Sequence, residues 1–152
     1  MKIEEILKQM SLELPPVPSP AGAYVSVAEA ERFAFMSGLL PRNGDQIVYR
    51  GRVGAEVTVS QAQEAARLCV LNAFSVLRGQ WGDLDRLKRI VRMTGYVQTH
   101  SSFFDIPQVL NGASNFLKEV LGEKGIHART AVGVSSLPGN AVCEIELTVE
   151  VR

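Results

Sequence analysis

The chain has 152 residues, 46% apolar and 21% charged, enough for one domain with a sizeable core. Sixteen basic and sixteen acidic residues cancel, so neither a nucleic acid nor an anionic membrane is expected as a partner. No apolar run approaches bilayer length, and a glutamate pair interrupts the N-terminal MKIEEILKQM where a secretory leader would be apolar, so the expected location is the cytoplasm.

Ile3, Ile6, Leu7 and Met10 fall on one helical stripe, predicting a helix over about 3–12. In ELPPVPSPAG four prolines stand within six residues and force extended, hydrogen-bond-poor chain. Residues 1–18 are therefore expected as a helix and connector appended to a main domain at 19–152. YVSVAEA and ERFAFMSG read as a hairpin, and IVYRGRVG as a third strand. The strongest helix runs from about Val59 to Arg78. Ser60 with Gln63 forms a candidate capping box, and Gly79 stands where a C-terminal glycine belongs. Its many alanines suit close packing on a flat surface such as a sheet.

RIVRMTGYVQT alternates and reads as a strand, and HSSFFDIPQ as a loop. A second amphipathic helix is expected from about Val109 to Leu121, stopped by Gly122. The ending, ARTAVGVSSLPGNAVCEIELTVEV, reads as a β-hairpin around a Leu-Pro-Gly-Asn turn. The whole order predicts an α+β sandwich, with helices on one face of a mixed sheet.

Alternation in that hairpin sets Val132 and Val134 on one face and Arg129, Ala131 and Gly133 on the other. On the second strand Ile145, Leu147, Val149 and Val151 oppose Glu144, Glu146, Thr148 and Glu150. Arg129 is thus expected to share a charged face with the glutamates. Two readings of that face are open: a polar surface left in water, or a layer where several copies pack and enclose clefts. Arg86, Lys88, Arg89 and Arg92 read as a solvated strand flank. Cys69 and Cys143 have neither metal-site spacing nor a redox motif. With two histidines and no clustered ligand set or glycine-rich phosphate motif, no metal or organic cofactor is expected.

The ending brings a family into view. ARTAVGVSSLPGNAVCEIELTVEV, together with GAYVSV, MSGLLP and Asn111 at the opening of the second helix, resembles the YjgF-type Rid family of reactive enamine/imine intermediate deaminases, formerly labelled endoribonuclease L-PSP. The resemblance runs from about Ser19 to Arg152. It implies a chorismate-mutase-like two-layer sandwich, with two main helices on one face of a mixed sheet. It also implies a homotrimer whose sheets form an inner barrel with clefts between subunits.

Carried over by position, the resemblance makes Arg129 the clamp for a substrate carboxylate and Glu144 the catalytic residue that places the attacking water. Tyr24, Ser37, Gly38, Asn111 and Ala131 become further cleft-lining, substrate-binding positions contributed by two subunits. Ala131 stands where the family often has cysteine, and His127, where a proline is common, is expected at the rim. The implied activity is hydrolysis of 2-imino and enamine acids to 2-oxo acids and ammonia, as in a 2-iminobutanoate/2-iminopropanoate deaminase. The alternative is a non-catalytic trimeric protein that binds a small carboxylate.

Overall fold

The structure is a computed structural model and describes residues 2–152. In chain order the elements are α1 (Ile3–Gln9), β1 (Val27–Ala30), β2 (Phe33–Met36), β3 (Arg42–Asn43), β4 (Gln46–Ile47), α2 (Val59–Trp81), β5 (Leu87–Gln98), α3 (Ile106–Leu121), β6 (Ala128–Val134) and β7 (Cys143–Val151). Five strands form one mixed sheet in the order β1-β2-β7-β5-β6, and β3 pairs only with β4. The expected α+β class, with two main helices over one sheet face, is what the chain forms.

The core lies between that face and the helices. Met93, Val97, Ile145, Leu147 and Val149 point into it from β5 and β7, and Ala62, Ala66, Cys69 and Phe74 meet them from α2. Alanines bring α2 close to the sheet, as their number in the sequence predicts. Gly112 brings α3 equally close to α2, because a Cβ there would strike the backbone of Gln63. Gln63 reinforces the contact by donating its Nε2 hydrogen to the Gln108 carbonyl at 2.9 Å. Cys69 and Cys143 meet in this core as free thiols with their sulfurs 3.9 Å apart.

Several sequence expectations are corrected. The capping box of α2 lies two residues earlier than Ser60 and Gln63. Thr58 accepts from the Gln61 amide at 3.1 Å, and Gln61 Oε1 accepts from the Thr58 amide at 3.0 Å. The helix also runs through Gly79, which packs on Val17, and stops at Gly82, whose φ of 86° favours glycine. IVYRGRVG is mostly irregular rather than a third strand, with Tyr49 and Gly51 at φ 59° and 120° breaking any extended run. Asn111 lies inside α3 rather than at its start, since that helix begins at Ile106 with Pro107 in its first turn.

The closing segment is not a hairpin. β5 lies between β6 and β7, parallel to β6 and antiparallel to β7. α3 supplies the crossover that a parallel pair needs. The short link from β6 to β7 then passes the end of β5 instead of closing a two-strand turn.

Nor is the N-terminal helix a loose appendage. Leu7 is 2% exposed and belongs to the core, with Ile3, Ile6 and Met10 packed beside it. Pro15, in the connector, offers its carbonyl to the hydroxyl of Ser75 on α2 at 2.5 Å. The apolar stripe that predicts the helix also predicts a surface to cover it, and that surface is the main body.

The basic flank of β5 is paired rather than merely solvated. Glu150, 5% exposed, takes Lys88 Nζ at 2.8 Å and Arg89 Nε at 2.7 Å, and Arg86 pairs with Glu29 at 3.1 Å. Among the described residues no helix is long and apolar enough to cross a membrane.

Candidate functional site

The residues singled out in the sequence fall into two groups. Tyr24, Ser37, Gly38 and Glu144 line one cavity of about 260 Å³. The chain leaves β2 at Ser37 and keeps contact with β7 through paired hydrogen bonds, Leu39 N to Ile145 O at 2.8 Å and Ile145 N to Leu39 O at 3.0 Å. That bridge holds Gly38 directly beside Glu144. The Ser37 hydroxyl donates to the Val25 carbonyl at 2.6 Å, and the Ser37 amide donates to Ser26 O at 2.9 Å. These bonds draw the segment carrying Tyr24 over the same cavity. The Tyr24 hydroxyl accepts from the Ala21 amide at 3.2 Å.

Glu144 is the chemically distinctive group here. It is half-buried, and among the described residues its carboxylate receives no hydrogen bond. Burial raises its pKa above the ordinary carboxylate value, and the like charge of Glu146, two residues along the same face, adds to the effect. Glu146 itself accepts from the Tyr96 hydroxyl at 2.9 Å. A carboxylate without protein partners, facing a cavity, is free to take a proton from a water placed there.

The second group gathers around Arg129. Its Nη1 donates to Asn111 Oδ1 at 2.9 Å and to Ser114 Oγ at 3.1 Å. Asn111 and Ser114 stand three residues apart on α3 and so share one helix face. His127 completes the group, with Nε2 3.0 Å from Ser114 Oγ and Nδ1 2.7 Å from the Gly125 carbonyl. Its pKa is held below the ordinary value, chiefly by burial and in smaller part by the Arg129 charge. Ala131 lies partly buried against the core on the same side of β6.

The expected common face for Arg129 and Glu144 is corrected by the register. Arg129 pairs with Met93, which is fully buried under the helices, whereas Glu144 pairs with Tyr96 on the open face. Alternation within one strand holds, but β5, expected as a strand though not at this place, lies between the two, so the faces cannot be matched across a turn. With two strand spacings and three residues between them, their Cα atoms stand roughly 14 Å apart. Within one chain the two groups thus address opposite sides of the sheet.

Sequence reasoning missed Ser114 and gave His127 only a rim position. The three-residue spacing of Asn111 and Ser114 is the one signal that could have found the former. Arg42 also lines the Glu144 cavity and carried no signal at all. No group of three or more His, Cys, Asp or Glu among the described residues could hold a metal ion.

Comparison with known proteins extends over nearly the whole chain. Residues 4–151 match the family described as "YjgF/chorismate mutase-like, putative endoribonuclease". Protein TCP17 of Trypanosoma cruzi is 40% identical over 147 residues, 96% of this chain and 92% of its own length. Among solved structures, Atu1372 of Agrobacterium tumefaciens, of unknown function, is 38% identical with a TM-score of 0.92, covering 99% of this chain and 92% of that one. A Shewanella oneidensis protein bearing the same endoribonuclease description is 35% identical with a TM-score of 0.95, covering 99% of both chains. Escherichia coli TdcF, solved with bound serine, shares the fold at 21% identity and a TM-score of 0.61, over 91% of this chain and 94% of its own.

Proposed function

The chain belongs to the YjgF/chorismate mutase-like (Rid) family, and from that premise we propose that it hydrolyses reactive 2-imino and enamine acids to 2-oxo acids and ammonia. The observation that carries this reading is the half-buried Glu144, unpartnered among the described residues, facing a cavity with Tyr24, Ser37 and Gly38. The reaction needs little more than placement, because an iminium carbon is already electrophilic. Water adds to that carbon while Glu144 takes one of its protons. The resulting amino alcohol collapses as nitrogen gains a proton, and ammonia leaves with the C–N electron pair. The oxygen stays on carbon and gives up its remaining hydrogen to solvent, leaving the 2-oxo group.

Arg129 supplies the carboxylate clamp. Two of its hydrogens are committed to Asn111 and Ser114, and three remain for a ligand. Since Arg129 and Glu144 face opposite sides of one sheet, a single substrate meets both only if they come from different copies. The proposed site therefore lies between subunits of a homotrimer, with β6 and α3 of one copy against the Glu144 cavity of the next. Phe35 and Val132, 48% and 37% exposed on the open sheet face, are then covered by assembly.

One assay tests the activity: purified protein should accelerate 2-oxo acid release from freshly generated imines of several amino acids. Absence of acceleration with every imine, alongside tight binding of 2-oxo acids, would identify a non-catalytic carboxylate-binding protein instead. Light scattering tests the assembly, and a stable monomer at micromolar concentration would overturn the cleft.

A further inference from the structure

Building on the carboxylate role proposed for Arg129, we infer that Ser114 and His127 are positioning residues that fix which edge of the guanidinium meets the ligand. The directions of the hydrogen bonds follow from the chemistry of the partners. A carbonyl oxygen can only accept, so the 2.7 Å contact with Gly125 O requires the hydrogen of His127 to sit on Nδ1. In a neutral imidazole the other nitrogen is then an acceptor, and it faces Ser114 Oγ at 3.0 Å. Ser114 has one hydroxyl hydrogen and gives it to His127. Its lone pairs are left for Arg129 Nη1 at 3.1 Å.

The second Nη1 hydrogen goes to Asn111 Oδ1 at 2.9 Å, so both hydrogens of that nitrogen are used. A guanidinium has five N–H groups, and those remaining are on Nη2 and Nε. These two nitrogens share an edge with parallel hydrogens, the geometry that holds a carboxylate at two points. The carboxylate therefore docks side-on, across Nε and Nη2, and the end-on approach across Nη1 and Nη2 is closed. The anchor of the relay is rigid as well. A Cβ on Gly125 would strike the Leu117 carbonyl, so the turn holding His127 lies pressed onto α3, the helix that carries Ser114 and Asn111.

The test is nitrogen-15 NMR on the full chain, joined to binding of 2-oxobutanoate by calorimetry. His127 should show a protonated Nδ1 and an unprotonated Nε2, and the Arg129 Nη1 hydrogens should exchange slowly. Ser114→Ala should abolish the slow exchange, and Ser114→Thr, which keeps the hydroxyl, should restore it. In binding, Ser114→Ala and His127→Phe should each weaken 2-oxobutanoate about ten-fold, the size expected for one hydrogen bond to a charged group. Turnover at saturating imine should change far less than KM. Protonation of His127 at Nε2 rather than Nδ1, or an Arg129 signal identical in Ser114→Ala, overturns the inference. Failure of the parent protein to bind any 2-oxo acid would instead overturn the function proposed above, while the spectra still decide the roles of Ser114 and His127.

Discussion

The carboxylate of Glu144 lies so close to the α-carbon of Gly38 that a Cβ there would overlap it. The atoms in conflict belong to the far end of a flexible side chain, not to backbone. Gly38→Ala is therefore expected to move the carboxylate rather than the fold. Thermal stability should stay within about 1 kcal/mol of the parent, while imine hydrolysis falls about a hundred-fold, as a displaced catalytic group implies. Equal turnover in Gly38→Ala and parent would remove Glu144 from the reaction.

The raised pKa of Glu144 sets the acid side of the activity. A carboxylate that accepts a proton from water works only when ionised, so kcat/KM should drop as pH falls through a value above 4.5. Replacing Glu146 by Gln removes the like charge and should shift that limb to lower pH, although burial, the larger cause, remains. The sign for stability runs the other way. A group protonated more readily folded than unfolded subtracts stability as pH rises from its ordinary to its folded pKa. Glu144→Gln should therefore unfold at a higher temperature than the parent at pH 7, while losing turnover. A limb that stays in place in Glu146→Gln would rule out the coupling.

Arg129→Lys keeps a positive charge but loses the planar, two-point geometry. The expected loss is roughly 2–4 kcal/mol of transition-state stabilisation, about thirty- to a thousand-fold in rate. Arg129→Ala should also abolish 2-oxo acid binding, while Glu144→Gln should retain it. Calorimetry on the three variants separates the two roles. Hydrolysis at the parent rate in Arg129→Ala would refute the clamp.

Leu7 carries the N-terminal helix into the core. Leu7→Ala should cost about 2–5 kcal/mol in urea-induced unfolding, the range for a buried leucine, because the cavity left at 2% exposure cannot fill with solvent. Removing residues 2–12 should cost at least as much. A truncated chain of parental stability would restore the division at residue 18 as a real boundary between folding units.

What the sequence made legible was whatever depended on short spacings. The stripe of Ile3, Ile6, Leu7 and Met10 marked α1, the alanines of α2 announced a sheet beneath it, and alternation in β7 sorted Glu144 and Glu146 from Ile145 and Leu147. Strand order was not legible, because no local pattern says that β5 inserts between β6 and β7. The error in placing Arg129 follows from that alone. The extent of the first helix's docking was hidden by the prolines of the connector after it, which remove hydrogen bonds without preventing contact. Ser114 and Arg42 escaped because each acquires meaning only from neighbours distant in sequence.

The insertion of β5 between β6 and β7 also governs how the chain can fold. Two strands joined by a short link would ordinarily zip together in microseconds as a local hairpin. Here that early pairing is the wrong one, since every ladder bond of β7 on this side goes to a strand that begins at Leu87. The productive pairings, Leu87 with Val151 and Arg92 with Ala128, close long stretches of chain before they return any stabilisation. Folding should accordingly be slow for a domain of this size, in the range of milliseconds to seconds. During synthesis the sheet must wait for β7, because the strand that joins the β1–β2 hairpin to β5 follows every other strand of that sheet in the chain.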